Sequence, residues 1–163
     1  MSPNRKRLTS LDLLADLVAF ETESDKSNLP IIDYIQAYLT ELGVETTRFP
    51  SADGAKASLF ATIGPKDRGG VLLSGHTDVV PVAGQAWTSD PFKLRVADGR
   101  AYGRGSVDMK GFDAIVLAAV PDMLSAALST PIHLVFSYDE ETTCLGSTAA
   151  IARFGLDLPV WRQ

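Results

Sequence analysis

Cysteine occurs once in this chain of 163 residues, at Cys144, so no disulfide can form within it. The fold must be held by burial alone, and a single thiol fits a reducing compartment. Long apolar runs are lacking too: nothing approaches the roughly 20 residues that a membrane-crossing helix needs. There is no basic block. Lys and Arg number 15 against 20 Asp and Glu, a net charge of −5. That balance argues against nucleic acid or an anionic membrane as the main partner. The head "MSPNRKRLTSLDLLADLVAF" is basic and then apolar, as a secretory leader would be. Asp12 and Asp16 interrupt its apolar part, however, and no small-residue cleavage site follows. It reads as a helix of a cytoplasmic protein. Repeats, low-complexity tracts and linkers are missing as well, which leaves one domain.

What is present is the composition of an ordinary globular protein, 45% hydrophobic and 21% charged. Leu11, Leu14, Leu17 and Val18 recur at helical spacing behind Thr9 or Ser10 as N-cap. A second helix has Asn28 as cap, Pro30 in its first turn, the stripe Ile31, Ile35, Leu39 and Leu42, and Gly43 at its end. "VETTRFP" and "ASLFATIG" predict strands flanking the turn "SADGAK". "GGVLLSGH" and "PIHLVFSY" are short apolar runs of the buried-strand kind. Between them, "PVAGQAWTSDPFKLRVADGRAYGRGS" reads as loop with short strands. "MKGFDAIVLAAVPDMLSAALS" reads as a helix broken or kinked at Pro121. "GSTAAIARFG" would be a final helix. Alternating helices and strands predict an α/β layered domain.

Three polar clusters sit at or just beyond predicted strand ends, the edge where α/β sheets build sites. In "SGHTDVVP", His76 and Asp78 are two apart and can share a side of an extended chain. An imidazole beside a carboxylate suits a metal ligand and its orienting acid; a surface or structural hydrogen bond is the alternative. In "YGRGSVDMKG", Gly103, Gly105 and Gly111 allow close backbone approach around Asp108. The spacing G-x-G-x-x-D is not a dinucleotide fingerprint. A salt bridge from Asp108 to Lys110 at the helix start is the simpler reading. In "SYDEETTCLG", Asp139, Glu140 and Glu141 follow an apolar run and must repel one another. They either decorate a helix N-terminus or hold metal. One imidazole with several carboxylates is a ligand set for zinc, cobalt or manganese. Adjacent glutamates can also divide the work, one as ligand and one as general base.

"SGHTDVVP", "WTSDPF" at 87–92, "GRGSVDMKG" and "DEETTCLGS" resemble, in order and spacing, the metal-dependent amidohydrolases, the family of aminoacylases, carboxypeptidases and amino-acid deacylases. The resemblance runs from about residue 8 to 158. It implies a three-layer α/β/α, zinc-peptidase-like catalytic domain. It implies two divalent ions, zinc or cobalt, with His76 binding one, Asp108 bridging both and Glu141 binding the other. Glu140 would be the general base, Asp78 would orient His76, and the Asp108–Met109 peptide would be cis. The substrate would be a small N-acyl amino acid, N-acetylornithine of arginine biosynthesis first, with a related deacylase, desuccinylase or carboxypeptidase activity as the alternative. A homodimer is expected of the full-length parent.

The same resemblance implies a further acidic ligand, a distant histidine and a small lid and dimerisation domain, all beyond Gln163. On that basis residues 1–163 are expected to be the N-terminal portion of the catalytic domain, inactive alone and only partly occupied by metal. A non-catalytic remnant with a weak metal site is the other expectation. His133 lies inside a strand and Cys144 has no paired base or second thiol, so both are expected to be structural, Cys144 as small packing.

Overall fold

Residues 7–148 are described by the structure, a computed structural model. Their elements run α1 (Ser10–Val18), α2 (Leu29–Glu41), β1 (Thr46–Pro50), β2 (Ala57–Ile63), β3 (Val71–His76), β4 (Arg95–Ala97), β5 (Arg100–Tyr102), α3 (Lys110–Ser125) and β6 (Ile132–Ser137). Thr9 caps α1 with a reciprocal pair: its hydroxyl accepts from the N–H of Asp12 at 3.1 Å, and Asp12 accepts from the N–H of Thr9 at 2.8 Å. Such a cap contributes about 1 kcal/mol.

Asn28 stands at the cap position of α2 but does not cap it. Its buried amide is spent elsewhere, donating to the Ala57 carbonyl at 2.8 Å and to Thr77 Oγ1 at 2.9 Å. Ser27 Oγ takes the N–H of Leu29 instead, at 3.2 Å. Pro121 does not break α3, which continues to Ser125. Proline cannot donate to the carbonyl four residues back, which is that of Leu117. Tyr38 Oη donates to this carbonyl at 3.2 Å and satisfies it from outside the helix.

The main sheet has the order β1-β2-β6-β3. β1 and β2 form the expected antiparallel hairpin, β2 pairs antiparallel with β6, and β3 runs parallel to β6. β4 and β5 form a separate two-stranded ribbon. Leu13, Leu17, Ile31, Ile35, Leu39, Leu117 and Leu134, all fully buried, join α1, α2 and α3 to one face of the sheet. Each such side chain contributes on the order of 1.5–3 kcal/mol. On the opposite face, Phe49, Phe60, Val135 and Leu72 form a smaller cluster. The final helix predicted from "GSTAAIARFG" begins as a helical turn at 145–148, and the rest of it lies outside the described residues.

Candidate metal centre

Parallel pairing of β3 with β6 sets His76 opposite Ser137, so both strands deliver their next residues to the same end of the sheet. His76 comes from β3, and Glu140 and Glu141 follow β6. Asp108 arrives from the loop before α3. That loop lies tight against its surroundings: a Cβ on Gly105 (φ +80°) would meet Val79 Cγ1 at 2.9 Å, and one on Gly111 would meet the Ser106 carbonyl at 2.2 Å. The Asp108–Met109 peptide is cis.

His76 is 3% exposed. Its Nε2 lies 3.1 Å from Asp108 Oδ1 and 3.5 Å from Glu140 Oε2. Its Nδ1 lies 2.9 Å from the Asp78 carbonyl oxygen and 3.6 Å from Asp78 Oδ1. Asp78 thus holds the ring mainly through its main chain. Its buried carboxylate reaches the acidic loop, accepting from the N–H of Glu140 at 3.0 Å and of Glu141 at 3.2 Å, and from Ser24 Oγ at 2.8 Å.

Burial opposes charge on His76, but the Asp78 hydrogen bonds and the nearby Asp78 and Glu140 charges outweigh it and lift the pKa to about 9. For Asp78, burial pushes the pKa up, and hydrogen bonds from His76, Ser24 and the two glutamate N–H groups overcome this and lower it. Glu141 is pushed up, first by burial and then by the charges of Asp108, Glu140 and Asp78. A cation placed among these acids would relieve that repulsion.

Donor atoms of His76, Asp108 and Glu141 all lie within 4.8 Å of one another. Three ligands held at roughly 2.0–2.2 Å from one ion stand up to about 4 Å apart, so modest side-chain rotation closes the set. An imidazole and two carboxylates suit zinc or cobalt by donor chemistry. The residues present fit a divalent ion. Asp108 and Glu140 keep 73% and 49% of their side chains in solvent, so the centre is open on one side.

The simpler readings fare differently. Lys110 makes no pair with Asp108; it is fully buried and donates to the Phe20 carbonyl at 2.7 Å. His133 sits away from the centre, its Nδ1 2.9 Å from Thr62 Oγ1 and its ring stacked on Phe60. Cys144 is exposed rather than packed, with φ +57° and its Sγ 3.4 Å from the Glu140 carbonyl.

Sequence reasoning missed the supports. Ser24 braces Asp78, Thr22 Oγ1 donates to the Thr77 carbonyl at 2.5 Å, and Asn28 holds the Thr77 hydroxyl. These residues look like ordinary turn and cap formers, and nothing in their spacing links them to the 76–78 segment.

None of the described helices is long and apolar enough to cross a membrane. Residues 72–160 match the model of peptidase family M20/M25/M40. The chain is 40% identical over 148 residues to an acetylornithine deacetylase of Pasteurella multocida, covering 86% of this chain and 38% of that protein. It is 37% identical to an acetylornithine deacetylase of Proteus mirabilis, covering 88% and 39%. The chain therefore spans less than two fifths of these curated relatives. Its fold matches an M20 family metallo-carboxypeptidase from Sulfolobus solfataricus with a TM-score of 0.75 at 21% identity, over 88% of this chain and 34% of that one. Human carnosine dipeptidase 1 matches with a TM-score of 0.71 at 24% identity, over the same shares. The layered α/β fold is that of M20 catalytic domains, and the chain belongs to peptidase family M20/M25/M40.

Proposed function

We propose that this chain is the N-terminal, metal-holding portion of a hydrolase acting on N-acyl amino acids, with N-acetylornithine as the first substrate to test. The observation that carries the reading is the approach of His76, Asp108 and Glu141 donors to within 4.8 Å of one another. Identity of 40% to an acetylornithine deacetylase supports the choice of substrate.

A bound zinc or cobalt ion would supply Lewis acidity, polarising the amide carbonyl and lowering the pKa of water. His76 is oriented for the ligand role, since Asp78 occupies its Nδ1 side and leaves Nε2 facing Asp108 and Glu140. Glu140, half in solvent beside those donors, takes a proton from the attacking water as general base. The water oxygen bonds to the acyl carbon, the C–N bond breaks, and Glu140 returns the proton to the departing amine. Glu141 and Asp108 would serve as ligands, and Asp108 would be shared if a second ion binds.

If two ions bind and share Asp108, the described residues would give each only two side-chain donors, His76 with Asp108 and Glu141 with Asp108, where three are usual. The chain alone therefore holds metal weakly and turns over slowly at best, while the full-length parent works as a cytoplasmic homodimer. The test is to load purified chain with zinc or cobalt, dialyse it, and assay release of ornithine from N-acetylornithine. Metal lost on dialysis with no steady turnover is expected. Tight stoichiometric metal with steady turnover would contradict this and show that the chain completes its own site.

A further inference from the structure

Asp78 accepts the N–H groups of Glu140 and Glu141 from one side. A second support for their loop lies across the sheet. In the antiparallel pairing of β2 with β6, Leu59 faces Phe136. Carried three residues further, the same register brings Lys56 opposite Asp139. The Lys56 ammonium pairs with the Asp139 carboxylate, and both side chains are only 17% exposed. It also donates to the Ser24 carbonyl at 2.6 Å.

Both partners lead to the glutamates. Asp139 lies two residues beyond the end of β6, with φ +58°, and its carbonyl gathers the N–H groups of Thr143 and Cys144 at 3.0 and 2.7 Å. Ser24 donates its hydroxyl to Asp78, and the Asp78 carboxylate accepts the N–H groups of Glu140 and Glu141. One ammonium thus ties the root of the acidic loop to the residue that braces its clamp.

We propose that Lys56 is a positioning residue that holds the 139–141 loop so that Glu141 stays aimed at His76 and Asp108, with Glu140 beside them. The inference deepens the proposed function and rests on that reading of the site. Lys56 is not among the donors His76, Asp108 and Glu141. It acts through Asp139 and Ser24, and its charge offsets one of three consecutive acids.

Amide hydrogen exchange on the chain without added metal tests the aim of the loop directly. In Lys56→Met the N–H groups of Glu140 and Glu141 should exchange about tenfold faster or more, with Leu134 and Val135 of β6 unchanged. Lys56→Arg should restore most of the protection. Asp139→Asn breaks the same link from the other end and serves if Lys56→Met does not fold; the double variant should be no worse than the worse single. Cobalt titration adds a second reading, with affinity expected to fall about 10–100-fold in Lys56→Met. Unchanged exchange at Glu140 and Glu141, or a rise shared equally along β6, overturns the proposal. If exchange responds as expected while no variant binds cobalt, Lys56 keeps its positioning role and the metal reading of the site fails.

Discussion

His76 and Asp78 are 3% and 2% exposed, whereas Asp108, directly across the centre, keeps 73% of its side chain in solvent. The two halves are built differently. His76 and Asp78 lie at the end of β3, gripped by hydrogen bonds from Ser24 and from the backbone of the acidic loop. Asp108 and Glu140 stand on loops, with 73% and 49% of their side chains in solvent. The difference separates two tasks. A buried half can fix where a ligand sits, because moving it would break several hydrogen bonds at once. An open half can meet substrate and exchange protons with water.

The largest effects should separate the two exposed acids. If the proposed function holds, Glu140→Ala in a longer, active form should cut turnover by about 10²–10⁴-fold, the usual cost of losing a general base, and leave metal content nearly intact. Asp108→Ala should instead lose the metal. Paired metal analysis and kinetics check this, and a Glu140→Ala protein that loses metal would break the division.

Next comes the buried half. Asp78→Ala removes the acceptor of both glutamate N–H groups and should weaken cobalt binding about 10–100-fold. Its effect should exceed that of Ser24→Ala, which removes one hydrogen bond to the same carboxylate. Equal effects in a cobalt titration would show that Asp78 does not act through the loop.

A pH series sharpens the comparison further. His76, lifted to about 9 against the opposing effect of burial, carries a proton at neutral pH that an arriving cation must displace. Cobalt affinity should therefore rise up to about tenfold per pH unit and level off above about 9. The sign for stability is opposite. A histidine raised from 6.5 contributes stability that is complete below that value and is lost as pH climbs through about 9. Affinity that is flat between pH 6 and 9 would contradict the placement of the proton.

The smallest effect belongs to Asp113, beneath the centre on α3. It is fully buried, and neither carboxylate oxygen has a hydrogen-bond partner. Only a glycine fits above it, since a Cβ on Gly75 would come within 2.0 Å of Asp113 Oδ1. Burial pushes its pKa well above 3.8, against weaker pulls from His76 and Lys110. The folded chain then keeps a proton that the unfolded chain releases, so stability falls as pH rises above that ordinary value. Asp113→Asn should raise the melting temperature at pH 8 by about 2–4 °C, the shift that about 1 kcal/mol makes in a domain of this size. Melts at pH 5 and pH 8 check it, and an undiminished pH dependence would count against it.

The exposed half was legible in the sequence. Three acids after an apolar run, and an aspartate among glycines, announce themselves by composition. β3 and β6 were legible for the same reason, as short apolar runs bounded by turn residues. The supports were not, because their partners are remote: Ser24 meets Asp78 across 54 residues, and Lys56 meets Asp139 across 83. Local rules even misdirected. Asn28 has every mark of an N-cap, yet tertiary demand at Ala57 and Thr77 claims its amide. Pro121 signals a broken or kinked helix, yet α3 is not broken, and Tyr38 supplies the missing donor from another element. The cis peptide at Asp108–Met109 was expected from family resemblance alone; no propensity would have suggested it.

Everything proposed for the site depends on His76, Asp108 and Glu141 holding a divalent ion. X-ray absorption at the zinc edge of the zinc-loaded chain reads the ligand set directly. The expected spectrum has one imidazole nitrogen and otherwise oxygen at about 2.0–2.2 Å, with the histidine signal abolished by His76→Ala. A sulfur neighbour at about 2.3 Å, contributed by Cys144, or a histidine signal that survives His76→Ala, would contradict it.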